Sequence, residues 1–153
     1  MNEIKLTASD LDLIRVVQKD ARLPISLMAR ELGIPESTAR NKLKRLETLG
    51  VLNFSVVTDP LKLGYNIWVI MMIDVALSEI RSASAALTAF PDVYFVAITA
   101  GRYNIQVSAV FPSNTDFLQF LSERISRING IKAIHSHTVL SVEKRQMAII
   151  PPP

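Results

Sequence analysis

Apolar residues recur three or four positions apart in the first fifty residues, a spacing typical of amphipathic helices. The pattern predicts three helices, over about residues 10–19, 26–32 and 35–49. The first is expected to begin with a capping box formed by Ser9 and Asp12, and Ser26 is expected to cap the second. Gly33 then ends the second helix in a left-handed conformation. A short helix, a glycine-containing turn and a longer helix indicate a helix-turn-helix.

The pattern changes after the third helix, where residues 51–57 read VLNFSVV. Because these residues are largely β-branched and aromatic, they predict a strand. Asp59-Pro60 is typical of a turn, and residues 58–65 therefore form the expected linker. Together these segments predict a hinge strand and linker over residues 51–65.

The rest of the chain alternates between strand-like and helical segments. The expected order is strand, helix, strand, strand, helix, strand, over about residues 66–76, 78–90, 93–99, 104–111, 114–128 and 131–143. Ser113, with Asp116 three residues later, is expected to cap the second of these helices. The βαββαβ order predicts a ferredoxin-like domain, with four antiparallel strands and both helices on one face of the sheet.

The face of the sheet away from the helices, called here the open face, would lack a cover. The first strand, Ile67 to Ile73, is nevertheless apolar at both alternating sets of positions, whereas a strand with one solvated face alternates. The open face is therefore predicted to be a subunit interface. The expected fold class is α+β, with a winged helix-turn-helix domain at 1–50, the hinge and linker at 51–65, a ferredoxin-like domain at 66–147 and an extended proline-rich tail at 148–153.

The third helix carries a polar side whose chemistry suits the major groove of DNA. Ala39, Leu43, Leu46 and Leu49 are predicted to form one buried stripe. At about 100° per residue, the opposite side centres on Ser37, Asn41, Lys44 and Thr48. The side chains expected to contact DNA are Ser37, Thr38, Arg40, Asn41, Lys44 and Arg45. Asn pairs with adenine, Arg with guanine, and Ser and Thr with several base edges. We expect the first four nearest the bases, and Lys44 and Arg45 chiefly on phosphates.

Composition supports this interpretation without requiring it. A net charge of +3 is compatible with nucleic-acid binding. A hydrophobic fraction of 49% in 153 residues favours burial of surplus apolar surface against another subunit. The alternative for the basic run at residues 40–45 is a plain solvated helix face, which the preceding helix and turn make the weaker interpretation.

Several other classes of protein are disfavoured by the sequence. The chain has no cysteine, which suits a reducing cytoplasm, and its N-terminal residues do not resemble a signal peptide. The apolar run from Ile67 to Leu77 is shorter than the roughly 20 residues of a membrane-spanning helix. No nucleophile elbow, phosphate-binding loop or dinucleotide fingerprint is present, and His135 and His137 have no obvious third metal ligand. We expect a cytoplasmic, non-enzymatic protein with no membrane segment, metal or cofactor.

Short motifs in a fixed order resemble those of the leucine-responsive/asparagine regulator (Lrp/AsnC) family. They are Leu11-Asp12, Ala21-Arg22, Met28 to Ile34, Ser37-Thr38, Leu43 to Glu47, Gly50 to Leu52, Asp59-Pro60, Leu63 to Tyr65 and Ala100 to Asn104. The resemblance covers about residues 6–145. It implies the two-domain fold predicted above, homodimers that pair through the sheet and often assemble into tetramers or octamers, and a roughly palindromic double-stranded DNA operator.

The resemblance also implies an effector, commonly an amino acid, bound between dimers at the loop that joins the second and third strands of the regulatory domain. The matching residues are Thr99, Ala100, Gly101, Arg102, Tyr103 and Asn104, with Ser136 on the last strand. Family members usually carry Gly-Asp-x-Asp here, so Arg102 and Asn104 stand where acids are expected. Neutral Asn104 can replace only in part an acid that holds an ammonium group. A plain β-turn is the alternative interpretation of the loop.

The sequence is therefore compatible with three hypotheses of function. The leading hypothesis is a sequence-specific transcription regulator modulated by a small effector such as an amino acid. Arg102 and Asn104 motivate the second hypothesis, an effector-insensitive architectural DNA-binding protein. The third is a metabolic binding module or enzyme built on the ferredoxin-like domain, for which no catalytic constellation is visible.

Overall fold

The computed structural model describes residues 4–144, which form two compact units. The first unit contains the residues up to Val57, and the second contains Thr58–Glu143. The predicted tail at 148–153 and the end of the predicted domain at 66–147 lie outside the described residues. In the part of the chain that is described, no helix is long and apolar enough to cross a membrane.

The first unit consists of three helices: α1 Ala8–Lys19, α2 Ile25–Leu32 and α3 Glu36–Thr48. Their apolar sides meet in a core of Leu13, Ile14, Val16, Val17, Met28 and Leu46. The capping box predicted at Ser9 and Asp12 is wrong, because Thr7 caps α1 and Asp10 completes the box. Both pairs have the required spacing, and the structure differs because Asp10 is fully buried whereas half of the Asp12 side chain is exposed.

The turn between α2 and α3 is held by the end of α2. Gly33 has φ 64° and lies in the left-handed conformation, as predicted. Its N–H donates to Arg30, and the N–H of Ile34 donates to the Ala29 carbonyl at 3.0 Å. These bonds satisfy carbonyl groups that the helix end leaves without partners. The cap predicted at Ser26 is wrong, because Pro24 occupies the N-cap position, where its missing N–H costs nothing.

Residues 51–57, predicted to be a strand, belong to none of the strands in the described structure. The N–H of Val51 is bonded to the Leu46 carbonyl, which closes the end of α3. Beyond that point the side chains of Phe54, Val56 and Val57 are exposed. The β propensity of this segment is high, but propensity supplies no partner strand. The predicted hinge strand is therefore absent from the single chain.

The second unit has the predicted βαββαβ order. Its elements are β1 Ile67–Val75, α4 Ile80–Thr88, β2 Val93–Ile98, β3 Ile105–Phe111, α5 Asn114–Gln119 and β4 Ile131–Thr138. The strands lie in the order β2-β3-β1-β4, and every neighbouring pair is antiparallel. Ser113 caps α5 and accepts a hydrogen bond from Asp116, as predicted. The ferredoxin-like architecture is confirmed.

The strand register separates two faces of this sheet. Met71 lies opposite Val107 and Ser136, whereas Met72 lies opposite Gln106 and His135. The Met71 side packs against both helices through a core of Val69, Met71, Ile73, Val75, Ala83, Leu87, Ile105, Val107, Ala109, Phe111, Phe120 and Ile125. The Met72 side is the open face predicted from the sequence, and no helix of this unit contributes to it.

The second helix of this unit is less regular than predicted. After α5, Phe120–Arg124 form a π turn and Ile125–Arg127 form a 3-10 turn. Hydrogen bonds from residue i to residue i+5 widen the helix locally. Because Phe120 and Ile125 are both buried although five positions apart, the wider turn serves the core.

The last strand ends at Thr138, five residues before the predicted end near residue 143. Its partner β1 begins at Ile67, and the N–H of Val139 still reaches the Trp68 carbonyl. Only Ile67 of β1 lies beyond that point. The missing partner, rather than the local sequence, sets the end of β4.

Candidate nucleic-acid interface and effector loop

The third helix of the first unit presents a polar side to solvent. Ala39 and Leu46 are fully buried, and Leu43 is half-buried against the same core. The prediction that Leu49 belongs to this buried stripe is wrong, because Leu49 follows the end of α3 at Thr48 and is exposed. The six side chains expected to contact DNA lie on the other side, where Thr38 is half-buried and Ser37, Arg40, Asn41, Lys44 and Arg45 are exposed. The structure therefore brings all six together on one solvent-facing side of α3, called here the DNA face.

The basic side chains of α3 differ in how they are paired. Arg40 lies 2.5 Å from the carboxylate of Glu36, one turn earlier on the same helix. Lys42 and Arg45 instead reach Asp10 of α1, with N–O distances of 2.9 and 2.5 Å. Lys44 forms no ion pair with any of residues 4–144.

Asp10 is a fully buried carboxylate whose two oxygens are both satisfied. Its Oδ2 accepts from the N–H and the hydroxyl of Thr7, at 2.8 and 2.7 Å, and from Arg45. Its Oδ1 accepts from Lys42. Sequence reasoning missed this residue, although a signal was present. Asp10 stands on the apolar stripe of α1, four and seven positions before Ile14 and Val17, and a carboxylate on such a stripe needs buried partners.

The pKa of Asp10 reflects two opposing influences. Burial raises the pKa, because it penalises the charged form. Hydrogen bonds from Lys42 and Thr7, together with the positive charge of Lys42, outweigh burial and lower the pKa to about 2. Asp10 is therefore ionised at neutral pH and holds α1 against α3 as an anion.

In the second unit, the loop between β2 and β3 ends at Asn104, which is tied to the end of β1. Its Oδ1 accepts from the N–H of Val75 at 2.9 Å, and its Nδ2 donates to the Val75 carbonyl at 2.7 Å. The amide thus pairs with Val75 as a neighbouring strand residue would. An aspartate could accept from the N–H but has no hydrogen to donate to the carbonyl. The two backbone groups of Val75 therefore explain why an amide suits this position.

Three side chains at and near the loop form a row of contacts, with the Tyr103 ring in the middle. The guanidinium of Arg102 lies 5.5 Å from the centre of the Tyr103 ring, a cation–π contact. The Tyr103 ring lies 5.1 Å from the ring of His135 on β4. The Thr99 hydroxyl donates to the Tyr103 carbonyl at 2.8 Å, which closes the loop. The loop therefore presents a cation and one ring where acids were expected, and β4 adds the ring of His135.

The remaining residues of the predicted effector site are placed differently. Ala100 and Gly101 lie exposed at the tip of the loop, and Gly101 has φ 128°. Ser136 lies opposite Met71 and so belongs to the helix side of the sheet, away from His135. The structure does not bring Ser136 into the ring cluster. No group of three or more potential metal ligands occurs among residues 4–144, His135 and His137 included.

Two protein-family models match the chain. The model described as "Lrp/AsnC ligand binding domain" matches residues 69–149, and the model described as "Winged helix-turn-helix DNA-binding" matches residues 6–53. Among curated proteins, the HTH-type transcriptional regulator FL11 of Pyrococcus furiosus is 30% identical over 136 residues, which are 88% of this chain and 89% of that protein. The uncharacterized HTH-type transcriptional regulator PH0140 of Pyrococcus horikoshii is 28% identical over 93% of this chain and 90% of its own length.

Solved structures share the fold at lower sequence identity. AsnC of E. coli superposes with a TM-score of 0.87 at 20% identity, covering 97% of this chain and all of that one. The transcriptional regulator NMB0573 of Neisseria meningitidis, solved as a complex with L-Met, has a TM-score of 0.84 at 18% identity and covers 95% of this chain and 96% of its own. At these identities the likeness shows the fold alone.

Asp10→Asn is expected to destabilise the first unit in a pH-dependent way. Because folding lowers the pKa of Asp10, its contribution is present above the unfolded pKa of about 4 and is lost as the pH falls through about 2. At neutral pH the loss should be about 2 kcal/mol, and the difference from wild type should shrink toward about pH 2. Urea titrations at several pH values, followed by NMR resonances of the first unit, measure the loss of stability and its change with pH. Asp12→Asn, which removes the exposed partner of Arg15, is the control. A pH-independent difference would contradict the assignment.

Asn104→Asp is expected to destabilise the second unit by about 1–3 kcal/mol at neutral pH. One carboxylate oxygen would face the Val75 carbonyl with no hydrogen between them, and protonation at low pH would restore the donor and reduce the loss. Chemical denaturation at neutral and acid pH measures the effect. Asn114→Asp is the charge-matched control, because Asn114 is exposed at the start of α5, where a negative charge is favourable. Equal stability of the two variants would contradict the role of the amide.

Proposed function

The chain belongs to the Lrp/AsnC family of transcriptional regulators, and we propose that it recognises its operators with the DNA face of α3, as a homodimer. It is a regulator with a DNA-binding helix-turn-helix and a ligand-binding domain. The observation that carries the proposal is the arrangement of α3, which directs six polar side chains to solvent while Ala39 and Leu46 are buried.

We assign different tasks to different parts of the DNA face. Ser37, Thr38, Arg40 and Asn41 belong to the first half of α3, and this half of a recognition helix usually enters the groove most deeply. We therefore place these four side chains nearest the bases. Lys44, exposed and without an ion pair among the described residues, is placed on the phosphate backbone. Arg45 is placed there too, although it shares its guanidinium with Asp10.

The open face of the sheet supports pairing of two copies. Trp68, Ile70 and Met72 alternate along β1 on this face and are all partly exposed, and Phe95 of β2, on the same face, is exposed. An apolar sheet face of this kind is stable when another sheet covers it. Two copies related by a twofold axis would cover each other, and such dimers could assemble further into tetramers or octamers.

A small effector such as an amino acid is proposed for the loop from Thr99 to Asn104. Ser136, which the sequence also suggested, lies on the helix side of the sheet opposite Met71 and is left out of the proposed site. The support is the match to the ligand-binding family model and the fold shared with the Neisseria meningitidis regulator that was solved with L-Met. Membership of a regulator family supports a non-enzymatic role, and a DNA partner supports action in the cytoplasm.

A second candidate function has its own supporting observation. The amide of Asn104 is committed to Val75 through both of its polar atoms, and Arg102 places a cation in the loop. Neither side chain supplies the carboxylate that holds an ammonium group in an amino-acid site. This favours an effector-insensitive architectural DNA-binding protein as the alternative.

DNA binding tests the main proposal directly. An operator is first obtained by selection of bound fragments from a genomic library. Asn41→Ala should weaken operator binding by about 1–3 kcal/mol and change binding to other sequences much less. Lys44→Ala should weaken binding to all sequences about equally and lower the magnitude of the salt slope by about 0.9 per subunit. Titrations by gel shift measure both, and Lys62→Ala outside the DNA face is the control.

The same operator tests the dimer. A footprint of two half-sites about one DNA turn apart is expected if two copies bind together. Unchanged affinity in both the Asn41 and Lys44 variants would overturn the assignment of the DNA face. A single half-site in the footprint would overturn the dimer.

Ligand-dependent stability separates the two candidate functions. Each of the twenty amino acids is added to the full chain and the melting temperature is measured. An effector present at about 100 times its dissociation constant should add about 2.7 kcal/mol to the free energy of unfolding. A reproducible shift with one amino acid supports the regulated protein, whereas no shift with any of them supports the effector-insensitive alternative.

A further inference from the structure

Three of the four basic side chains of α3 are paired within the first unit, by two carboxylates. Of its four basic side chains, Arg40 is paired with Glu36, and Lys42 and Arg45 are both paired with Asp10. Among the described residues, Lys44 alone of the four has no ion pair. The charge count of the helix therefore overstates the charge it can offer to a phosphate backbone.

The two carboxylates involved are not equivalent. About half of the Glu36 side chain is exposed, and it pairs within its own helix, so water and a phosphate can replace it easily. Asp10 is fully buried, comes from another helix and accepts two further bonds from Thr7. A carboxylate held in this way cannot move away when DNA approaches. Its two cationic partners can separate from it only by leaving an unpaired buried charge.

Lys42 and Arg45 lie at or close to the DNA face of α3, so their ion pairs with Asp10 affect the charge that DNA meets. At about 100° per residue, Arg45 lies about 40° around the helix from Asn41, and Lys42 lies about 100° from it. Arg45 thus lies at the edge of the DNA face, and Lys42 lies between that face and the buried stripe. Without Asp10, both long side chains would be within reach of phosphates beside the groove.

We propose that Asp10 is a specificity-determining residue, which holds the charges of Lys42 and Arg45 against α1 and so limits their contribution to sequence-independent phosphate binding. Phosphate contacts add affinity for every sequence, whereas base contacts distinguish one sequence from another. A recognition helix with two cations restrained therefore depends more on its base contacts. The inference rests on DNA binding by the helix-turn-helix and does not depend on which residues of the DNA face touch bases.

The salt dependence of binding to non-specific DNA tests the proposal. The full-length chain and its Asp10→Asn variant are titrated with a mixed-sequence duplex between about 50 and 200 mM KCl. Each added phosphate contact makes the slope of log affinity against log salt steeper by about 0.9. We expect the variant to have a slope steeper by about 0.9–1.8 per subunit and to bind this duplex at least several-fold more tightly at the lowest salt.

Asp12→Asn is the matched control for net charge. It also removes one negative charge from α1, but Asp12 pairs with Arg15 on the same helix and not with α3. Its salt slope should therefore equal that of wild type within error. An unchanged or shallower slope in Asp10→Asn, with weaker binding, would show that Asp10 only supports the fold. Equal steepening in both variants would show a general charge effect, and either result overturns the proposal.

Single substitutions on α3 keep the proposal testable even if Asp10→Asn does not fold. Lys44→Ala should lower the magnitude of the salt slope by about 0.9 per subunit. Lys42→Ala and Arg45→Ala should each lower it by less than half as much, because Asp10 holds both side chains against α1 and offsets part of their charge. If all three variants lower the slope equally, Asp10 does not restrain its partners and the proposal is wrong.

Discussion

A carboxylate can be buried only where every group around it is fixed to satisfy it, and Asp10 imposes that condition on the first unit. Thr7 must begin α1 so that its N–H and hydroxyl reach the carboxylate. Lys42 and Arg45 must face α1 together, and residues three apart on a helix share a side. These two ion pairs restrict the rotation of α3 about its axis. In the resulting orientation Asn41 faces solvent, so one buried charge in α1 helps to orient the surface that meets DNA.

In the second unit the corresponding constraint is the central position of β1. Lying between β3 and β4, it must present apolar residues to the helices on one side and to whatever covers the open face on the other. Met71 and Met72 are neighbours in the strand, so their side chains lie on opposite faces and meet these two demands. The same strand ends at Val75, whose backbone groups would lack a partner without the amide of Asn104. The sheet and the candidate effector loop are therefore joined by hydrogen bonds.

The periodicity of the sequence was sufficient to predict the helix-turn-helix, the βαββαβ order and most of the buried stripe of α3, because the type and order of the elements follow from the local spacing of apolar residues. The predictions are wrong where a residue far away in the sequence determines whether a strand forms or where it ends. Residues 51–57 have strand propensity but no strand beside them, and β4 stops where β1 begins. The capping box of α1 was predicted at Ser9 and Asp12 and is formed by Thr7 and Asp10, because spacing alone does not distinguish a buried carboxylate from an exposed one. The pairing of Arg45 with a residue 35 positions earlier has no local signal.

The departure of the loop from the family pattern follows from the same kind of distant contact. Read along the sequence, Asn104 is a weakened version of an acid that would bind an ammonium group. In the structure both polar atoms of its side chain are used by Val75, 29 residues earlier, and one of them must be a donor. A chain with an acid at this position would have to satisfy the Val75 carbonyl in another way, and would therefore end β1 differently. The residue that would select the effector is thus also a residue that completes the sheet, so its chemistry cannot change without a change in how β1 ends.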